Sequence, residues 1–187
     1  MTKKAAILLA DGFEEVEGLS VVDVLRRAGI TIDMVSVTGS LQLTSSRKIG
    51  ITADKLFVDM DDYDMVVLPG GLPGANTLRD DERVIDLLKK YNEEGKYIAS
   101  ICAGPMALGV SGVADGKKVT SYPDDVTKSY LTKSEYLEDM VVQDGNLITS
   151  RGPATAWAFA YKLVDVLGGD SAALKKGMLY ESYIQEK

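Results

Sequence analysis

The chain has 187 residues, with 21 basic and 28 acidic side chains and a formal charge of −7. Apolar residues make up 45% of it and occur along its whole length, which excludes a disordered or fibrous chain and fits one domain spanning residues 1–187. The acid excess, with a sequence pI of about 4.7, argues against non-specific nucleic-acid binding and against docking on anionic membranes, and no membrane or specific nucleic-acid partner is expected.

Histidine is absent and there is a single cysteine. The first fact removes Ser-His-Asp and Cys-His triads and His-based zinc sites. The second removes internal disulfides and Cys-rich metal sites, so no metal or cofactor is expected and nothing points to secretion. A cytoplasmic location follows from this reading. The apolar run from Ala5 to Ala10 stops at Asp11 and suits a buried strand, because a membrane span needs roughly 18 apolar residues.

Taken in order, Ala5 to Ala10 reads as a first strand. Glu14 to Ala28 is predicted as a helix, from apolar Val16, Leu19, Val22 and Leu25, with Arg26 and Arg27 near its end and Gly29 as the stop. Ile30 to Val37 is a second strand and Leu41 to Ala53 a small β excursion. Met65 to Leu68 is a buried strand running into Pro69-Gly70-Gly71, followed by a helix from about Asn76 to Asn92. Tyr97 to Ile101 is the next core strand, and Cys102-Ala103-Gly104-Pro105 opens another helix. Lys118 to Thr120 is strand-like, and Met140 to Thr149 reads as a hairpin around Asp144-Gly145. Ala154 to Leu167 and Ser171 to Tyr183 close the chain as helices. Strand and helix in alternation imply an α/β fold, a parallel sheet covered by helices on both faces.

In such sheets ligands sit beyond the carboxyl ends of the strands. Three of these ends carry unusual residues: Asp11 to Glu17, Pro69 to Gly74, and Ile101 to Pro105. Cys102 has small residues after it, as a sharp strand-to-helix elbow under a nucleophile requires. A thiol at a helix N-terminus is expected to have a lowered pKa. A buried, inert cysteine is the alternative. Glu14 and Glu15 read as acids that stabilise the helix dipole, whereas Glu17 shares a face with Glu14 and is a candidate protonated carboxyl beside the thiol. Gly70 and Gly71 read either as a tight turn or as backbone donors that, with the Ala103 amide, face a reacting oxyanion. Arg47 and Arg151 are single cations among small residues, which ordinarily means solvated surface charge. Met106 and Trp157 read as core or interface.

Ala-Asp-Gly-Phe-Glu-Glu-Val-Glu, the Pro-Gly-Gly after Val-Val-Leu, Ile-Cys-Ala-Gly-Pro and Thr-Ser-Arg-Gly-Pro-Ala-Thr together resemble the DJ-one/ThiJ/PfpI superfamily. Within it the chain is most similar to the branch of the Parkinson's-associated deglycase and its bacterial YajL-type relatives, over about Lys4 to Tyr183. The resemblance implies a flavodoxin-like fold and a homodimer. It also implies Cys102 as nucleophile, Glu17 as the protonated carboxyl beside it, and Gly70, Gly71 and Ala103 as backbone donors. By the same resemblance Arg47 reaches toward the partner subunit's site, with Arg151 in that neighbourhood. Tyr122 stands where relatives commonly carry a histidine, so a mechanism that needs that histidine is not available here. The implied activity is a glutathione-independent glyoxalase or deglycase that takes small reactive aldehydes or glycated proteins and nucleotides. The alternative is a non-enzymatic redox sensor or chaperone working through oxidation of Cys102.

Overall fold

The computed structural model describes residues 3–180. β1 (Lys4–Leu9), α1 (Glu15–Arg27) and β2 (Thr31–Ser36) come first, followed by the hairpin of β3 (Gln42–Thr44) and β4 (Gly50–Thr52) and the short β5 (Lys55–Leu56). The middle of the chain holds β6 (Met65–Leu68), α2 (Gly74–Asp80), α3 (Glu82–Glu93), β7 (Tyr97–Ile101) and α4 (Pro105–Ser111). β8 (Lys118–Val119), α5 (Asp125–Ser129) and β9 (Glu135–Tyr136) lead to the hairpin of β10 (Val141–Asp144) and β11 (Leu147–Ser150). α6 (Ala156–Val166) and α7 (Ser171–Gly177) follow.

Seven strands form one sheet in the order β10-β11-β7-β6-β1-β2-β5, parallel except for the hairpin at the β10 edge. The fold is flavodoxin-like, with helices on both faces. Successive strand residues point to opposite faces, so each strand feeds two cores. Ala5, Ile7, Met65, Val67, Ala99 and Ile101 pack with Val21, Leu25, Phe159 and Leu163 from α1 and α6. Ala6, Leu8, Val66, Leu68 and Ile98 pack with Val84, Leu88, Ala107 and Leu108 from α3 and α4. The chain leaves β1 for β2 on one side and returns to β6 on the other, so the strand order reverses between β1 and β6. A crevice opens beyond the strand ends at such a reversal. It brings together the loops after β1, β6 and β7.

Local chemistry sets the helix ends. Glu14 caps α1, accepting from the Glu17 amide, and Arg26 and Arg27 lie in its last turn. The single helix predicted over Asn76 to Asn92 is instead two. Asp81 adopts an extended backbone, with φ −85° and ψ 109°, and its side chain accepts from the Arg83 amide, which ends α2 and starts α3. The turn of the last hairpin is shifted by one residue from the predicted Asp144-Gly145. Asp144 pairs with Leu147, leaving Gly145 and Asn146 as the turn. The helix predicted from Ala154 begins as a single 3-10 turn over Pro153–Thr155 before α6. α7 ends at Gly177, before the predicted Tyr183, which lies outside the described residues. β5, α5 and β9 are short elements that the sequence pattern did not signal.

One contact tests how tightly the layer on the α4 side is closed. A Cβ on Gly109, in α4, would overlap the carbonyl oxygen of Tyr130 at the end of α5. Backbone cannot retreat as a side chain can, so Gly109→Ala is expected to lower stability by about 2 kcal/mol or more in denaturant titration. Gly50→Ala, whose Cβ meets nothing, is the control and is expected to change little. Equal stability of the two variants would contradict this packing.

Candidate active site

Cys102 follows directly on β7 and adopts a left-handed backbone, with φ +62°. A residue with a Cβ enters that region only when its surroundings hold it there. Here the Cys102 amide donates to the Ser150 carbonyl at 3.1 Å, and its carbonyl accepts from the Tyr122 amide at 2.9 Å. The Gly104 amide turns back onto the Ile101 carbonyl at 3.0 Å, and Pro105 starts α4. The side chain is buried, with 9% of its surface exposed.

Glu17, in the first turn of α1, is fully buried. Its Oε2 accepts from the Gly70 amide at 2.8 Å. Its Oε1 has no hydrogen-bond partner, and the Cys102 thiol is close enough to act on the carboxyl. Gly70 passes between the two groups. A Cβ there would stand 2.6 Å from the Cys102 Cβ, 2.7 Å from Glu17 Oε2 and 2.9 Å from the Ala103 nitrogen. Only glycine fits.

Burial pushes the Glu17 carboxyl up to about 7, reinforced by the charge of Glu14 and opposed by the Cys102 thiol and the Gly70 amide. Burial also pushes the Cys102 thiol up, and the Glu17 carboxylate beside it adds to this, while the amides of Ala103 and Gly71 pull the other way. This corrects the expectation of a lowered thiol pKa. α4 begins three residues after Cys102, and the enclosed carboxyl outweighs the helix end. Two acids in one dry site titrate as a pair: the carboxyl gives up its proton first, at about 7, and the thiol, pushed up by burial and by that carboxylate, keeps its own.

The other residues singled out in the sequence fall into two groups. Gly71 and Ala103 present their amides to the Cys102 sulfur, but the Gly70 amide is turned to Glu17. Arg47 lies in the β3–β4 hairpin, which is fastened over the β1–α1 loop by Gly12 N–H to the Thr44 carbonyl and Ser46 N–H to the Phe13 carbonyl, both 2.8 Å. Its guanidinium is exposed and donates to the Ser46 hydroxyl at 3.4 Å. Arg151 donates to the Glu138 carbonyl at 2.9 Å. Tyr122 is 45% exposed, and its ring lies beside Gly152; its amide, not its phenol, is what meets the Cys102 main chain. Glu15, read from sequence as a dipole acid, is held under the hairpin by the Ser46 hydroxyl at 3.0 Å and the Arg47 amide at 3.4 Å. Sequence reading missed the Ser150 carbonyl that anchors the nucleophile's backbone, since main-chain acceptors leave no residue signal. Among the described residues no three His, Cys, Asp or Glu side chains gather to hold a metal ion, and no helix is long and apolar enough to cross a membrane.

The sequence pattern of the DJ-1/PfpI family matches residues 3–166. Protein dj-1beta of Drosophila melanogaster is 42% identical over 184 residues, covering 96% of this chain and 98% of the relative. Its crystal structure superposes with a TM-score of 0.90 over 96% of this chain and 98% of that one, at 44% identity. Toxoplasma gondii DJ-1, described as oxidized, gives 0.88 over 95% of this chain and 98% of that one, at 34% identity. Deglycase TK1284 of Thermococcus kodakarensis is 34% identical over 169 residues, covering 88% of this chain and 99% of the relative. With an elbow cysteine, a buried carboxyl beside it and this agreement of sequence and fold, the chain belongs to the DJ-1/PfpI family.

Proposed function

We propose that the chain is a cysteine-dependent, glutathione-independent glyoxalase or deglycase acting on methylglyoxal, or on glyoxal adducts of proteins and nucleotides. The observation that carries this reading is the enclosed Cys102–Glu17 pair, a buried thiol beside a buried carboxyl that titrates at about 7. An archaeal relative named deglycase supports it. In the proposed reaction the Cys102 sulfur bonds to the aldehyde carbon of methylglyoxal as its S–H bond breaks, and the carbonyl oxygen takes the thiol's proton by way of Glu17, giving a hemithioacetal. Glu17, now a carboxylate, removes the proton from that carbon and returns it to the neighbouring one through an enediol. The product of this shift is a lactate thioester, which water cleaves to lactate, restoring the thiol. Gly71 and Ala103 amides face the sulfur and would hold the oxygen that develops charge. The overall change is addition of one water, with no oxidant or reductant.

No step uses the Tyr122 phenol, which fits its exposed position. We further propose a cytoplasmic homodimer with residues 1–187 as one domain, and Arg47 as a residue that reaches toward the partner subunit's site, with Arg151 in that neighbourhood. A second reading, oxidation of Cys102 to a sulfinate held by the Glu17 hydroxyl and the nearby amides, is favoured by the same geometry and by the oxidized state of the Toxoplasma relative.

Lactate formation from methylglyoxal without glutathione is the test. Native protein is expected to form lactate and Cys102→Ser to form none. Absence of lactate from folded native protein would overturn the enzyme reading, and a gain of two oxygens on Cys102 in mild peroxide would then support the sensor.

Glu17 makes a second expectation. Its carboxyl titrates at about 7 in the fold against an ordinary value of 4.5. Between those values the folded chain keeps a proton that the unfolded chain has released, so stability falls as pH rises through the window. The loss amounts to roughly 3 kcal/mol by pH 8. Glu17→Gln is therefore expected to melt higher than native protein at pH 8 and alongside it near pH 4, while turnover drops about a hundredfold or more. A variant that turns over normally, or that is less stable at pH 8, would contradict the assignment.

A further inference from the structure

The first turn of α1 and the loop after β6 are joined by a closed circuit of three hydrogen bonds. Gly70 N–H donates to Glu17 Oε2 at 2.8 Å, and Glu17 N–H donates to Glu14 Oε2 at 2.8 Å. Glu14 N–H donates back to the Gly70 carbonyl at 2.9 Å. Each residue gives once and accepts once, so none moves without loosening the other two. An ordinary helix cap satisfies one orphan amide of its own helix. Glu14 does that and also ties the helix to the segment that passes between Glu17 and Cys102, where a Cβ has no room.

We propose that Glu14 is a positioning residue for the Cys102–Glu17 pair, fixing the Glu17 carboxyl through this circuit and placing a negative charge one helical turn from it. The proposal deepens the functional reading above, from which it takes the pair as the reactive centre. Glu14 is half-buried and one helical turn from Glu17, close enough for its carboxylate to disfavour a second negative charge there. Among the described residues, the groups acting on the Glu17 carboxyl are the Cys102 thiol from the elbow, the Gly70 amide from the loop after β6, and Glu14 from its own helix. Glu15, the remaining acid of that turn, is occupied by Ser46 and the Arg47 amide. Glu14 therefore acts on the sulfur through Glu17, without touching it.

The test is the rate of alkylation of Cys102 by iodoacetamide as a function of pH. Cys102 is the single cysteine, so the label reports on it alone. The readout needs no turnover, so a failed lactate assay leaves it intact. Glu14→Gln keeps an oxygen for the Glu17 amide and removes the charge. Its midpoint is expected about 0.5 pH unit below native, with labelling unchanged under the midpoint and a plateau about threefold lower, because the Glu17 carboxylate forms earlier and holds the thiol's proton in place. Glu14→Ala removes charge and acceptor together, and its plateau is expected to change at least twofold besides. Glu14→Asp, which restores charge and cap, is expected to return the profile toward native. A Glu14→Gln midpoint equal to or above native overturns the proposal. A lowered melting temperature with an unmoved profile also overturns it, because that is all a purely structural cap would give.

Discussion

A carboxyl group sealed beside a thiol, away from water, cannot ionise cheaply, and the centre of this molecule is organised around that constraint. Glu17 is fully buried, with one oxygen on the Gly70 amide and the other without a hydrogen-bond partner. The backbone around it is shaped to permit the approach. Cys102 is held at a left-handed φ by main-chain bonds to Ser150 and Tyr122, and Gly70 slips through a gap that a methyl group would close. The strand reversal between β1 and β6 is what lets helix α1, the Gly70 loop and the elbow after β7 converge.

The arrangement sets stability against reactivity. A glutamine or an apolar side chain at position 17 would avoid the penalty of a buried ionising group, yet the site retains the acid. The two cores, one on each side of the sheet, supply the rigidity that keeps such a group in place. The environment also explains why the thiol is not activated by a helix end alone. The Ala103 and Gly71 amides favour negative charge on sulfur, while burial and the carboxyl oppose it. The balance between these influences, and not the dipole of α4, decides that the carboxyl ionises before the thiol.

Much of this was legible in the residues. The alternation of apolar strands with helical spacing gave the sheet and its two layers, and Cys102 with Ala103, Gly104 and Pro105 marked the elbow, because only small residues follow a turn so sharp. The spacing put Glu17 and Glu14 on one helix face, and the family resemblance singled out Glu17 as the carboxyl beside the thiol. What the residues could not carry were effects of tertiary environment. The direction of the thiol's pKa depends on burial and on a residue 85 positions away in the chain. The commitment of the Gly70 amide to Glu17 is a matter of loop placement. The break at Asp81 was written in Asp81-Glu82, a capping residue before an acid, but the long apolar period from Leu78 to Leu88 overrode it in a reading by periodicity. Arg47 and Arg151 are recognisable as isolated cations, whereas their partners, a hairpin hydroxyl and the Glu138 carbonyl, follow from the fold.

The central claim, that burial beside Cys102 keeps the Glu17 carboxyl protonated up to about pH 7, is tested most directly by the carboxyl resonance of Glu17. Carbon-13 labelled glutamate, with Glu17→Gln for assignment, gives its titration in native protein and in Cys102→Ala. The expected result is a native midpoint near 7 that moves when the sulfur is removed. A carboxyl that titrates near its ordinary value of 4.5, or one indifferent to the loss of the sulfur, would contradict the account.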